Sequence, residues 1–343
     1  MSAQLSEAAT AGVPMATVVG VDVGGTKVAT ALMREGRLAE PVLQPTELHS
    51  ADALIDQLVR QVDAVRERAG DEVQAVGLGI PSVIEWSTGR VRASVNVPLT
   101  DVPLREVLRE RLGVPVYVDN DATCAALAEA HDDEGRLTAH DLVMITVGTG
   151  VGGGIVVDGH VYRGTTGAAA EIGHMLIAAD LDADEPALDG FPRPGSLEAL
   201  ASGRALDALA RRAASDHPDS PLGRAHAAGE TVAGPHCVLA AQDGDEVACA
   251  ALAVLGRRLG IGIANLVNIF DPDVVAVGGG ASAAGELLLG PAREMAARFI
   301  LPGVGTRTEI RLARSGAGAG VRGAALLASL EQQRQGGRGL RRG

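Results

Sequence analysis

The chain has 343 residues, with 43 acidic against 30 basic side chains and a formal net charge of −13. That balance disfavours a polyanionic partner such as nucleic acid, and an aromatic content of 2% leaves few rings for stacking single-stranded bases. Hydrophobic residues make up 46% of a length that suggests two domains with sizeable cores.

Along the chain, Thr17 to Val23 is a β-branched run ending in Asp22 and Gly24-Gly25, and Val28 to Met33 is apolar again; strand, glycine turn, strand is predicted. From Ala51 to Gly70, Leu54, Ile55, Leu58, Val59, Val62 and Val65 recur at helical spacing. A short strand follows over Val73–Ile80, halted by Pro81, then an amphipathic helix over Asp101–Leu112 and a strand over Val114–Asp119. Ala122 to Ala130 is Ala-rich and predicts a helix. Leu142 to Val147 predicts a strand, followed by a glycine-rich stretch from Gly148 to Gly154 and a second strand through Val157. Ser196 to Ala214 predicts one helix, Glu246 to Phe270 a long and nearly uncharged core helix, and Val274 to Val277 a buried strand before Gly278-Gly279-Gly280. Strands alternate with helices, so the class is α/β.

The three cysteines, Cys124, Cys237 and Cys249, are too few and unevenly spaced for a disulfide framework and suit a reduced cytosol. No secretory leader is visible before Met15, and no uninterrupted apolar run reaches a membrane span, so a cytoplasmic protein without membrane or nucleic-acid partners is expected. Both ends, 1–16 and 331–343, are expected to be disordered.

A weak internal repeat carries the first chemistry. Val18 to Thr26 resembles Val143 to Gly150, each a hairpin whose turn is built of glycines and a threonine. Such turns gather backbone N–H groups at one point, through positive φ and close approach, and make anion nests. Two nests suggest two lobes gripping one polyphosphate. Neither turn is a P-loop, because no Gly-Lys-Ser/Thr opens a helix after it, and neither enters a helix as a Rossmann turn does. The third glycine cluster, Gly278 to Gly280, lies at the carboxyl end of a strand, where α/β proteins bind ligands.

Taken singly, Asn120 and Asp121 would read as a helix cap and its neighbour, His174 as a buried histidine, and Glu198 as a first-turn residue of a helix starting near Ser196. Together with the glycine turns they carry a family resemblance. Asp22 to Lys27 resembles the phosphate signature of actin-like sugar-kinase ATPases. Asp119-Asn120-Asp121-Ala122 resembles the N-D-A site of ROK kinases, Ile145 to Gly154 their second phosphate motif, and Glu171 to His174 their E-x-G-H stretch. Gly195 to Glu198 with Ala201-Ser202-Gly203, and Asp271-Pro272 with Gly278 to Gly280, resemble the remaining blocks, in order from about Thr17 to Leu327.

The resemblance implies an ATP-dependent kinase acting on a primary hydroxyl of glucose or a glucose-like polyol. Asp121 would be the general base; Asn120, Glu171, His174 and Glu198 would hold sugar hydroxyls. Gly24, Gly25, Thr26, Gly148, Thr149 and Gly150 would cradle phosphates, Gly279 and Gly280 the adenosine, and Asp22 would help place Mg²⁺. Asp121 is expected to ionise as an ordinary carboxylate. Lys27 stays open as a phosphate ligand, although its hairpin is not P-loop-like. The implied fold is two RNase H-like lobes of actin and hexokinase type around a nucleotide and sugar cleft, divided near Asp121 into 17–121 and 122–322, with a helix over 323–330 returning to the first lobe, and a homodimer.

Three departures put the sugar in question. The cysteine block that binds structural Zn²⁺ in many relatives is missing, since no cysteine lies between Cys124 and Cys237 and Ser196 replaces the last one; no zinc site is expected. An acidic loop with Asp180, Asp182, Asp184, Glu185 and Asp189 stands there instead, and Phe191, Pro192 and Pro194 must supply the packing. Pro81-Ser82 replaces Pro-Gly, and Thr100 replaces a tryptophan. A glucose analogue, an amino sugar or a C7-cyclitol of antibiotic-type secondary metabolism, is therefore an alternative to glucose; a zinc-free glucokinase using ATP or polyphosphate is another. A repressor would need a helix-turn-helix module, for which too few residues precede the first strand, and a catalytically idle sugar sensor would need broken motifs.

Overall fold

The computed structural model describes residues 16–70, 73–94, 96–178 and 190–340. In chain order the elements are β1 (Val18–Val23), β2 (Lys27–Arg34), β3 (Arg37–Leu38), β4 (Val42–Pro45), α1 (Ala51–Ala69), β5 (Ala75–Ile80), β6 (Ser82–Glu85), β7 (Arg90–Ser94), α2 (Leu104–Leu112), β8 (Val116–Asn120) and α3 (Asp121–Glu129). There follow β9 (Leu142–Val147), β10 (Val151–Val157), β11 (His160–Val161), α4 (Leu197–Ala201), α5 (Gly203–Asp216), α6 (Pro221–Ala227), α7 (Gly234–Gln242), α8 (Glu246–Phe270), β12 (Val274–Gly278), α9 (Glu286–Phe299), β13 (Glu309–Leu312) and α10 (Ala319–Leu340).

Two compact units result. The first runs through Thr138, takes in Arg163–Ala168 and adds the chain from Ala317; the second comprises Ala139–Tyr162 and Ala169–Gly316. The first unit's sheet has the order β3-β2-β1-β5-β8, with β4 also on β2. β1 and β2 are antiparallel, while β1, β5 and β8 are parallel. Its core joins Val19, Val21, Leu78 and Val118 of the sheet to Leu54 and Leu58 of α1 and Leu104 and Leu108 of α2. α1 is bounded as its sequence dictates: the Ser50 hydroxyl accepts the Ala53 N–H, and Gly70 closes the helix in the left-handed conformation. The second unit repeats the topology, β11-β10-β9-β12-β13, with β9 and β10 antiparallel and β9, β12 and β13 parallel. The weak sequence repeat is thus a duplicated sheet in which the same hairpin leads each half.

The division expected near Asp121 differs from these units. α3 stays with the first unit because α10 packs along it and along β1 and β5. The approach is so close that a Cβ on Gly323 would lie 1.7 Å from the Cys124 carbonyl oxygen. α10 is also longer than the expected 323–330, so residues 331–340 of the expected disordered tail are helical; 341–343 and 1–15 lie outside the described residues. The single helix expected over Ser196–Ala214 is broken at Ser202, whose hydroxyl caps α5 by accepting the Ala205 N–H, while Gly203 N–H donates to the Gly148 carbonyl at 2.7 Å. That bond ties the break to the β9–β10 hairpin. α8 is long and apolar enough to cross a membrane by length and composition, but Leu252, Leu255, Leu259, Ile263 and Val267 are buried in the second unit's core.

Candidate active site

Each unit carries its own set of the expected residues. In the first, Asp22 is the penultimate residue of β1, beside the β1–β2 turn. The turn is tight: Gly24 N–H donates to the Lys27 carbonyl at 2.9 Å, and the Thr46 hydroxyl donates to the Gly24 carbonyl at 2.7 Å. A cavity of about 340 Å³ is lined by Asp22, Gly24, Thr26, Lys27, Glu40 and Gly318, among others. Burial pushes the Asp22 carboxyl up to about 6, the charge of Asp121 adds to this, and Lys27 pulls the other way. Lys27 is therefore an electrostatic neighbour of Asp22.

The Asn120–Asp121 turn joins β8 to α3. Asn120 is the helix cap: its Oδ1 accepts the N–H groups of Ala122 at 2.9 Å and Thr123 at 3.3 Å. Its Nδ2 donates to the Ser82 carbonyl at 3.3 Å. The bland reading of Asn120 is thus realised, and it leaves one amide hydrogen for a ligand. Asp121 is the first residue of α3, and its Oδ1 accepts the Ala122 N–H at 2.8 Å. Ordinary ionisation was expected for Asp121; instead burial raises its carboxyl above the usual value, with backbone N–H donors opposing. Ser82 is buried, and its hydroxyl makes no hydrogen bond among the described residues.

In the second unit the β9–β10 turn is closed by Gly148 N–H donating to the Gly150 carbonyl at 2.9 Å. Positive φ, expected at the hairpin glycines, is absent from Gly24, Gly25, Gly148 and Gly150. At Gly150 it is close approach that disfavours a side chain. A Cβ on Gly150 would lie 2.4 Å from Glu198 Oε2. The same oxygen accepts the Val151 N–H at 2.8 Å, so Glu198, in the first turn of α4 behind the Ser196 cap, holds the hairpin. Positive φ does occur at Gly279 (85°), after β12, where a Cβ would meet the Val147 carbonyl oxygen at 2.5 Å. Glu171 precedes and His174 ends a short 3₁₀ turn, with His174 Nε2 3.8 Å from Glu171 Oε2. The largely exposed Phe191 ring stands edge-on to His174 at 5.1 Å. Among the described residues no group of three or more His, Cys, Asp or Glu is placed to hold a metal, and 179–189, with the acidic cluster, lies outside them.

The profile described as ROK family matches residues 18–331. The chain belongs to the ROK family. This ROK chain is 35% identical over 320 residues to the glucokinase of Halalkalibacterium halodurans, covering 92% of this chain and 95% of that protein. It is 34% identical to the glucokinase of Streptomyces coelicolor, covering 92% and 98%. The structure of a ROK family glucokinase from Streptomyces griseus in complex with glucose and AMPPNP aligns with a TM-score of 0.74 at 34% identity, covering 91% of this chain and 99% of that one. The ROK chain has the actin-like, two-lobe ATPase fold and is a sugar kinase, a phosphotransferase with an alcohol acceptor.

Sequence reasoning missed one feature beside Asp121. Asp119 is 1% exposed and takes the Nε of Arg163 at 2.7 Å. A partner 44 positions away leaves no periodic signal.

Proposed function

We propose that this ROK kinase transfers the γ-phosphoryl group of ATP to a primary hydroxyl of glucose or a glucose-like polyol, with Asp121 as general base. The observation that carries this reading is the Asp121 carboxylate itself. It is oriented by the Ala122 N–H and made more basic than an ordinary aspartate by burial, which suits proton abstraction from a hydroxyl. The remaining Nδ2 hydrogen of Asn120 would donate to a neighbouring hydroxyl, and the half-exposed Glu171 and His174 side chains would take others. Glu198 already spends one oxygen on the Val151 N–H, so its sugar contact would use the other. The Gly24 and Gly148 N–H groups close their own turns, which leaves phosphate contacts to Gly25, Thr26, Thr149 and Gly150, and Gly279 and Gly280 to the adenosine side.

Mg²⁺ fits the first unit's residues. A buried carboxyl at Asp22, pushed up by burial and by Asp121, gains from a cationic neighbour, and the adjoining cavity has room for waters that Mg²⁺ retains. When bound, the ion offsets phosphate charge; Asp22 would hold it directly or through water.

Glucose is the acceptor favoured by the kinship with glucokinases. An amino sugar or C7-cyclitol is the second reading, motivated by the buried Ser82, whose carbonyl accepts Asn120 Nδ2, and by the Phe191 ring edge-on to His174. A coupled assay comparing these acceptors, with ATP and polyphosphate as donors, decides between them by kcat/KM. The base is tested by Asp121→Asn, which keeps shape and removes proton acceptance. The expected loss is about a hundredfold or more in kcat with sugar binding kept; turnover near wild type would refute the assignment.

A further inference from the structure

We propose that Arg163 is a positioning residue that sets the Asn120–Asp121 turn through Asp119 and thereby holds the reactive carboxylate in place. The inference rests on Asp121 being the base.

Asp119 uses both carboxylate oxygens. Oδ1 accepts the Asn120 N–H at 2.9 Å, and Oδ2 accepts the Arg163 Nε at 2.7 Å. The turn and Arg163 therefore hang on one buried side chain, and a rotation of that carboxylate toward one partner abandons the other. Arg163 is itself fixed. Its guanidinium lies 3.5 Å over the Trp86 ring, and its Nη2 is 3.6 Å from Glu331 Oε1 on α10. Arg105 steadies the same tryptophan by donating to the Trp86 and Ser87 carbonyls at 2.7 and 3.2 Å.

A second route reaches the same turn. Trp86 immediately follows β6, which begins at Ser82, and the Ser82 carbonyl accepts Asn120 Nδ2. Arg163 thus bears on Asn120 from its backbone, through Asp119, and from its side chain, through the β6–β7 hairpin. Arg163 also supplies the counter-charge for a carboxylate two residues from the base. A buried ion pair adds little net stability over apolar packing, whereas its geometry is demanding. Such a pair is suited to fixing a position.

The test compares Arg163→Met, Arg163→Lys and Asp119→Asn with wild type. Trp86 is the sole tryptophan, so its emission reports directly on the Arg163 stack. Arg163→Met is expected to shift that emission and to speed exchange of the Asn120, Ala122 and Thr123 amides. It is also expected to lower kcat per active site by about tenfold to a hundredfold and to raise the sugar KM, with the ATP KM unchanged. Arg163→Lys should recover part of the loss, and Asp119→Asn, which keeps one acceptor oxygen, should show a smaller loss of the same kind. A role limited to fold stability would lower the active fraction and leave the sugar KM alone. Sugar kcat and KM within about twofold of wild type, with the Trp86 emission altered, would overturn the proposal. If wild type phosphorylates no acceptor, the base assignment fails, and the exchange data judge the positioning separately: unchanged amides at 120–123 overturn it, faster exchange sustains it. If Arg163→Met does not fold, Arg163→Lys and Asp119→Asn are held to the same criteria.

Discussion

Gly150→Ala isolates what Glu198 does for the β9–β10 turn. The added methyl would come within 2.4 Å of Glu198 Oε2 and 3.0 Å of its Cδ. Gly150 does not have positive φ, so alanine adds no backbone strain. The obstacle is the far end of a flexible side chain, which swings aside. The cost is therefore the bond that oxygen makes, the 2.8 Å contact with the Val151 N–H. A hydrogen bond to a charged acceptor contributes about 1.5–3 kcal/mol, and Glu198 is only partly buried, so about 1.5 kcal/mol is expected. In a unit of this size that lowers Tm by roughly 3–6 °C. Calorimetry on wild type, Gly150→Ala, Glu198→Ala and the double variant completes a cycle. Without the carboxylate the methyl meets no obstacle, so Gly150→Ala should cost almost nothing in the Glu198→Ala background, a coupling of about 1.5 kcal/mol. An equal drop in both backgrounds would refute the placement of Glu198 over the turn.

Asp22 gives a pH prediction. Its folded value of about 6 stands above the usual 3.8, so the folded state binds more protons than the unfolded one between these values. Stability therefore falls as pH rises through that window, and the full penalty, on the order of 3 kcal/mol, is present above about pH 6. Asp22→Asn should melt higher than wild type at pH 7.5, with the gain vanishing below about pH 4, and should lose any rise in Tm on adding Mg²⁺; identical melting curves across pH would contradict the burial of Asp22. Gly279→Ala combines a φ of 85° with a contact of 2.5 Å to the Val147 carbonyl oxygen, neither of which a side chain can relieve. A loss of about 3 kcal/mol or more is expected in the same melts. A smaller drop in Tm than for Gly150→Ala would show that the turn after β12 yields.

The sequence on its own determined the class of the fold and most of the strands and helices that build it. β1, β2, β9 and α8 follow from β-branched runs and apolar spacing, because burial on one face writes a local period into the chain. The two glycine hairpins and the order of the motifs were legible for the same reason, each being a feature of consecutive residues. What stayed out of reach depends on residues distant in the chain. The helix break at Ser202 follows from Gly203 bonding to Gly148, and the inclusion of α3 in the first unit follows from Gly323 meeting Cys124. The hairpin glycines are expected to need positive φ, yet what crowds a side chain at Gly150 is the distant Glu198 carboxylate. Asn120 looked like a cap or a ligand group, and only the packing of Ser82 against it shows how its amide is divided between the two. Asp119 and Arg163 carry no mutual signal in sequence, because an ion pair between residues far apart imposes no period on either. Tertiary structure alone brings that pair to the turn that presents Asp121.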